Sequence, residues 1–173
     1  MKVFLNAAIT PNGIIATRSG DTSFVTQNEW KNSFAPMIGK SGNYIIGRKT
    51  YEAMRRKSEF DDTPQHVPVI VVSRKRVELA RKNHFLAKSP KEALQQLKKM
   101  GHKKALVAGG GELYASFMKK RLVDEIYLDV EPTLLGQGIP LFSKQSFEAT
   151  LELVGTKKLS KNEIQLHYKV KKR

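Results

Sequence analysis

This sequence predicts an α/β fold of three layers. A mixed, mostly parallel sheet carries helices on both faces and an antiparallel pair at its C-terminal edge. Three observations point there. Short apolar runs alternate with segments of helical spacing along most of the chain, as strands and crossover helices do. Lys2–Ile9 and Val67–Val72 are apolar almost without interruption, the mark of strands buried on both faces. The last run, Ile164–Val170, instead alternates Ile164, Leu166, Tyr168 and Val170 with polar residues, as a half-buried antiparallel strand does.

In chain order, Lys2–Ile9 reads as a central strand, and Thr10-Pro-Asn-Gly13 turns it, since these residues supply fixed and positive φ angles. Ile14–Ala16 resumes, and Arg18–Thr22 is a polar loop. Thr26 to Ile38 reads as one helix with Trp30, Phe34, Met37 and Ile38 inward, opened by a capping box of Thr26 and Glu29. Ser41-Gly42 ends it. Tyr44–Ile46 is a strand, and Gly47-Arg-Lys-Thr-Tyr51 turns into a helix that runs to Arg56. Ser58–His66 is a polar loop, Val67–Val72 a strand with Pro68 near its start, and His84–Ala87 a short strand. Ser89-Pro-Lys-Glu92 combines an N-cap, a proline at the first helical position and a capping box, and opens a helix to Met100. Ala105–Ala108 is a buried strand, Gly109-Gly-Gly111 a turn, and Glu112–Met118 a helix with Leu113, Tyr114, Phe117 and Met118 on one face. Ile126–Glu131 is a strand, Pro132–Phe142 a Gly- and Pro-rich loop, and Thr150–Val154 pairs with Ile164–Val170 at the edge. With no repeat, linker or low-complexity stretch, residues 1–173 read as one domain.

Composition narrows the chemistry. There is no cysteine, which excludes disulfides, thiolate metal sites and a cysteine nucleophile, and suits a cytoplasmic protein. The four histidines have no metal-ligand spacing, so no metal is expected. No signal-peptide core opens the chain, and no apolar run approaches the ~20 residues that span a bilayer. Lys and Arg outnumber Asp and Glu by 31 to 16, a net charge of +15 that permits a nucleic-acid, membrane-surface or phosphate-rich ligand. The basic residues are scattered over several segments, only Lys171-Lys-Arg173 looking like a tail. They lack the interleaved aromatics that stack bases, so nucleic acid is not expected as the main partner.

The strand–triple glycine–helix stretch Val107–Tyr114 has the form of a phosphate-binding turn. Glycine lets a ligand approach the backbone, and the helix start offers free amides. Alone, it fits a plain tight turn equally well. It matches neither a Walker loop nor the usual dinucleotide fingerprint. In a parallel sheet, however, ligands bind beyond the carboxyl ends of the strands. That places Gly47–Thr50, Ser73–Arg74, Lys88 and Gly109–Gly111 on one rim, suited to a ligand with several phosphates.

The motifs Ala7-Ala8 with Asn12-Gly13, Ile46-Gly-Arg-Lys-Thr-Tyr-Glu52, Val72-Ser-Arg74, Val107-Ala-Gly-Gly-Gly-Glu-Leu-Tyr114 and Leu122–Phe142 follow one another in this order over nearly the whole chain. Together they resemble the dihydrofolate reductase fold. The closest likeness is to the branch that holds the reductase domain of the riboflavin-biosynthesis deaminase/reductase. The resemblance implies an NADPH-dependent reductase. By it, Gly47, Gly109, Gly110, Gly111, Glu112 and Leu113 hold the pyrophosphate region, and Arg48, Lys49 and Thr50 meet phosphates at a second helix start. Ser73 and Arg74 take the 2′-phosphate, and Lys88 lies at the adenine end. Ala8 and Ile15 fix the carboxamide through backbone groups, and Tyr114 packs beside the nicotinamide ring. Thr50 as a plain helix cap, and Arg48 and Arg74 as surface charges, stay open.

Hydride delivery to a C=N or C=O carbon also needs a proton source. Folate enzymes place a carboxylate in the first long helix. Counting back from Gly47, the matching position here is Lys31, so that carboxylate is missing; Glu29, two residues earlier, is a candidate whose capping-box role competes. Asp129 is the other. Tyr127, Asp129 and Glu131 share one strand face, which in the family borders the substrate, and Asp129 is expected to bind or protonate it, with Glu131 behind it. An exposed, paired carboxylate at a strand end is the alternative. Asn6 and Trp30 are further substrate-side positions. Three functions remain open: a stand-alone riboflavin-type reductase of a pyrimidine- or pterin-like heterocycle, a true dihydrofolate reductase, and a basic nucleotide- or nucleic-acid-binding protein without activity. No deaminase accompanies it in this sequence, which lacks the His-x-Glu zinc motif and cysteines. Relatives of the riboflavin type tend to be dimers, so the resemblance leaves a homodimer open, while the sequence itself does not set the oligomeric state.

Overall fold

The computed structural model describes residues 1–143 and 145–171, so Lys172 and Arg173 of the basic tail lie outside the described residues. An eight-stranded sheet organises the chain, in the order β5-β4-β3-β6-β1-β7-β10-β9. Its strands are β1 (Lys2–Ile9), β3 (Tyr44–Gly47), β4 (Val69–Val72), β5 (His84–Ala87), β6 (Lys104–Val107), β7 (Glu125–Val130), β9 (Leu151–Lys158) and β10 (Ile164–Val170). Two short strands, β2 (Ile14–Ala16) and β8 (Ile139–Pro140), pair with each other apart from it. β5, β4, β3, β6, β1 and β7 are parallel, and β10 and β9 add the antiparallel edge the sequence predicts.

Side-chain alternation along β1 shows why three layers form. Val3, Leu5, Ala7 and Ile9 join one apolar cluster, with Leu113, Tyr114 and Phe117 of α5 (Gly111–Lys119) and Ala93 and Leu97 of α4 (Pro90–Lys99). Phe4 joins a second cluster on the other face. There it meets Met37 and Ile38 of α2 (Ala35–Ser41) and Tyr51 of α3 (Arg48–Arg56). Burying both faces is what the uninterrupted apolar strands require.

Two elements depart from the sequence expectation. The first helix is not one regular helix over Thr26 to Ile38. It begins as α1 (Gln27–Glu29), widens into π-helix over Trp30–Phe34, and resumes as α2 up to Ser41, where Gly42 closes it at φ +69° with its N–H on the Ile38 carbonyl, 2.7 Å. A π turn holds an extra residue, so every side chain before it is rotated against a 3.6-residue count. β9 runs four residues beyond Val154, because its ladder with β10 continues to Lys158 across a bulge between Leu153 and Gly155. Among the described residues no helix is long and apolar enough to cross a membrane, and no acid–histidine group is arranged to hold a metal ion.

Candidate active site

Because β5, β4, β3, β6 and β1 run parallel, their carboxyl ends open together on one cleft of about 1700 Å³. Every position the sequence assigns to a cofactor, from Ala8 and Ile15 through Lys88 to Tyr114, lines this cleft, as do Asn6 and Trp30. The two glycine turns are stitched to each other: Gly47 N–H donates to the Gly109 carbonyl at 2.7 Å. Gly109 has a φ of +124° and is joined to Gly110 by a cis peptide bond. A Cβ on Gly110 would stand 3.0 Å from Thr50 Oγ1, so a side chain there would fill the space between the turns.

α3 and α5 begin at Gly47 and Gly110 without a side-chain cap, whereas Ser89 caps α4 through Glu92 N–H. Two helix starts thus keep first-turn amides free beside the cleft, where they favour an anion. Of the charged side chains lining the cleft, ten are Lys or Arg and five are Asp or Glu. Arg48 pairs with Glu52 at 2.9 Å and Lys49 with Glu112 at 3.4 Å. Arg74 and Lys88 are exposed, and their charged ends have no partner among the described residues. The Ser73 hydroxyl closes its own turn by accepting from Lys75 N–H and donating to the Lys75 carbonyl. These free amides, the glycine cradle and the free cations fit a dinucleotide with several phosphates.

The other half of the site is acidic and buried. Glu29, Asp129, Glu131 and Glu163 are between 0% and 8% exposed. The expectation that Asp129 and Glu131 face the substrate is corrected here. The face is the expected one, but α1 and the π turn cover it, and neither residue lines the cleft. Asp129 accepts from Asn6 Nδ2 (2.7 Å) and Ser33 Oγ (2.6 Å) at Oδ2 and from Gln165 Nε2 (2.7 Å) at Oδ1. Glu131 accepts from Thr26 N–H at 3.4 Å, and burial, with Glu163 beside it, pushes its carboxyl up to about 7.

The capping box is likewise corrected. Thr26 Oγ1 does accept from Asn28 and Glu29 N–H, but the carboxylate on Thr26 N–H is Glu131, and Thr26 Oγ1 donates to Glu163. Glu29, released from that role, is the one carboxyl of the four that lines the cleft. Burial first, then the charge of Asp129, pushes it up to about 9, so it holds a proton at neutral pH. The first helix therefore does set a carboxyl on the cleft, two residues before Lys31, the position that counting back from Gly47 reaches. Tyr114 completes this side; it is buried, its hydroxyl donates to the Asn6 carbonyl at 2.6 Å, and burial beside Glu29 and Asp129 raises its phenol. Ser33, Gln165 and Glu163 are the members that sequence reasoning misses. Polar residues inside apolar-patterned segments were the only signal for the first two.

A mostly parallel sheet with this antiparallel edge, and a glycine-turn cleft at its carboxyl rim, defines a protein of the dihydrofolate reductase-like fold. Within it, the chain belongs to the RibD C-terminal domain family, whose family model matches residues 1–165. Among curated relatives, the uncharacterized protein YwjB of Bacillus subtilis is 29% identical over 171 residues, covering 96% of this chain and 97% of YwjB. A protein of Shewanella sp. PV-4 named for riboflavin biosynthesis has a solved structure with a TM-score of 0.81 at 24% identity, covering 99% of this chain and 100% of its own. The diaminohydroxyphosphoribosylaminopyrimidine deaminase/5-amino-6-(5-phosphoribosylamino)uracil reductase of Thermotoga maritima has a TM-score of 0.69 at 18% identity, covering 98% of this chain and 56% of that one.

Proposed function

We propose that this chain is an NADPH-dependent reductase that delivers hydride to a pyrimidine- or pterin-like heterocycle, in the riboflavin-type branch. The observation that carries the reading is one cleft with a cationic, glycine-turn half and a protonated carboxyl, Glu29, in the other half. Membership of the RibD C-terminal domain family supports it, as does the reductase named in the Thermotoga protein of the same fold. When bound, NADPH would supply the hydride, which is chemistry of the cofactor itself.

The protein's part is placement and proton supply. Free amides at the starts of α3 and α5 and the Gly109–Gly111 turn hold phosphate oxygens, and Arg48, Lys49 and Thr50 flank them. Ser73 and Arg74 meet a 2′-phosphate, the feature that separates NADPH from NADH. Backbone groups of Ala8 and Ile15 hold the carboxamide, with Tyr114 alongside. Glu29 gives its proton to the substrate nitrogen or oxygen and becomes an anion beside Asp129, which favours rapid recovery of a proton from the cleft.

Thermal-shift titration with NADPH and NADH tests the cofactor. A ligand at 100 times its Kd stabilises by about 2.7 kcal/mol, so NADPH should raise the melting temperature. Arg74→Ala should weaken NADPH about tenfold or more and leave NADH unchanged, given that a lost charge-assisted hydrogen bond costs about 1.5–3 kcal/mol. No stabilisation by either cofactor would remove the reductase reading. Salt-sensitive retention on nucleic acid would then favour a basic binding protein. A second substrate reading gains from one observation. Glu29 supplies the helix carboxylate whose absence counted against a true dihydrofolate reductase. Turnover with dihydrofolate, compared with turnover of a ribosylamino-pyrimidine phosphate, separates the two.

A further inference from the structure

We propose that Asp129 is a positioning residue: clamped by hydrogen bonds from Asn6, Ser33 and Gln165, it fixes the exchangeable proton on Glu29, the carboxyl that opens on the cleft. This rests on the reading of Glu29 as the proton source.

The clamp is built from three elements. Asn6 stands on β1 and Gln165 directly opposite Asp129 on β10, while Ser33 comes from the π turn. Proton accounting fixes the direction of every bond. Ser33 Oγ stands 3.3 Å from Asn6 Nδ2 and 2.8 Å from Gln165 Nε2, so it accepts from both amides. A hydroxyl has one proton to give, and that proton goes to Asp129 Oδ2 at 2.6 Å. Asp129 therefore receives three donors from three separate elements, which fixes where its oxygens stand.

Glu29 is the opposite case. Its carboxyl shares a side-chain hydrogen bond with Asp129, the direction of which is from the protonated Glu29 to Asp129. Two neighbouring buried carboxyls do not both ionise, and the proton settles on the one with fewer donors. Among the described residues, the charges that act most on Glu29 are acidic. Glu131 follows β7, Glu163 stands before β10 and Tyr114 on α5, and Thr26 caps α1. Glu131 and Glu163 add to the repulsion and cannot replace the clamp, since the donors they receive come from Thr26. The π turn serves both ends of the device. It carries Ser33 down onto Asp129 and leaves Glu29, just before it, on the cleft.

Carboxyl titration by carbon-detected NMR tests this without cofactor or substrate. Wild type should show one protonated Glu carboxyl at neutral pH, absent in Glu29→Gln. Asp129→Asn should lower the Glu29 midpoint by about one pH unit or more, because the nearest like charge is gone. Ser33→Ala removes a single donor and carries the test if Asp129→Asn does not fold. It should raise the Glu29 midpoint, because Asp129 with one donor fewer accepts more strongly from the Glu29 hydroxyl, while circular dichroism shows the fold retained. A Glu29 midpoint unmoved in folded Asp129→Asn, or unmoved in folded Ser33→Ala, overturns the proposal. NADPH binding alongside either result would leave the reductase reading standing. The proposed titration without NADPH binding would sink that reading instead and keep the positioning role.

Discussion

Replacing Glu29 with glutamine should make the protein more stable above acid pH, by an amount that grows with pH. Glutamine keeps the size and polarity of the protonated acid and cannot ionise. In the wild type the folded carboxyl holds its proton up to about 9, against 4.5 as its ordinary value. Between those limits the folded state binds a proton that the unfolded chain has released, so raising the pH favours unfolding. The slope is about 1.4 kcal/mol per pH unit, or roughly 3 kcal/mol between pH 4.5 and 7. Glu131, raised in the same sense, is present in both proteins and largely cancels in their difference. Urea denaturation of both proteins from about pH 5 to pH 8 reads the effect as diverging stability curves, with the variant above the wild type. Parallel curves would show that Glu29 ionises at its ordinary value, and would refute both its burial cost and its standing as a proton store.

Other outcomes follow from single contacts. His84 is buried with Nδ1 on the Tyr51 hydroxyl at 2.8 Å and Nε2 unpartnered, and burial pushes its imidazole down to about 4. Its contribution to stability should be complete above 6.5 and fall as the pH drops through about 4, and proton NMR of the ring should give a midpoint near 4 rather than 6.5. Tyr114→Phe leaves the buried Asn6 carbonyl without its hydroxyl donor and should cost about 1–3 kcal/mol in urea denaturation, and a neutral result would mean that bond contributes nothing. Gly111→Ala would set a Cβ 2.6 Å from the Pro140 carbonyl, so the chain must shift at a cost of about 1–3 kcal/mol. Gly39→Ala, on α2 with open space around it, should instead stabilise by about 0.5–1 kcal/mol. Equal melting temperatures for these two glycine variants would count against the packing between the glycine turn and the loop after β8 (Ile139–Pro140).

The cofactor rim was legible because its signals are local. A strand, a glycine turn and a helix start lie within ten residues of each other, and parallel strands bring such turns together whatever the details of packing. The acidic half was not, for two physical reasons. Spacing arguments assume 3.6 residues per turn, and the π turn over Trp30–Phe34 breaks that assumption between Glu29 and the strand from which the count begins. The capping-box rule also reads only neighbours in sequence. Thr26 and Glu29 satisfy it, yet Glu131 reaches Thr26 N–H from the end of β7 across more than a hundred residues. For Asp129 the alternation of β7 gave the right face, but whether that face is open or covered depends on where α1 lands.

These departures share a cause that bears on function. Local rules fail where a chain accepts a cost, and four buried carboxyls in a chain of net charge +15 are such a cost. Nothing in the packing demands it. The apolar clusters on both faces of the sheet close without these residues, and an all-amide version of the same network would satisfy its hydrogen bonds with no pH dependence. A purely structural network would also spread its donors over all its acceptors. Here three donors gather on a carboxylate that does not line the cleft, and the carboxyl that does line it is left to Asp129 alone. That inequality is what a proton store needs: one group held charged, so that its neighbour stays neutral where a substrate can reach it.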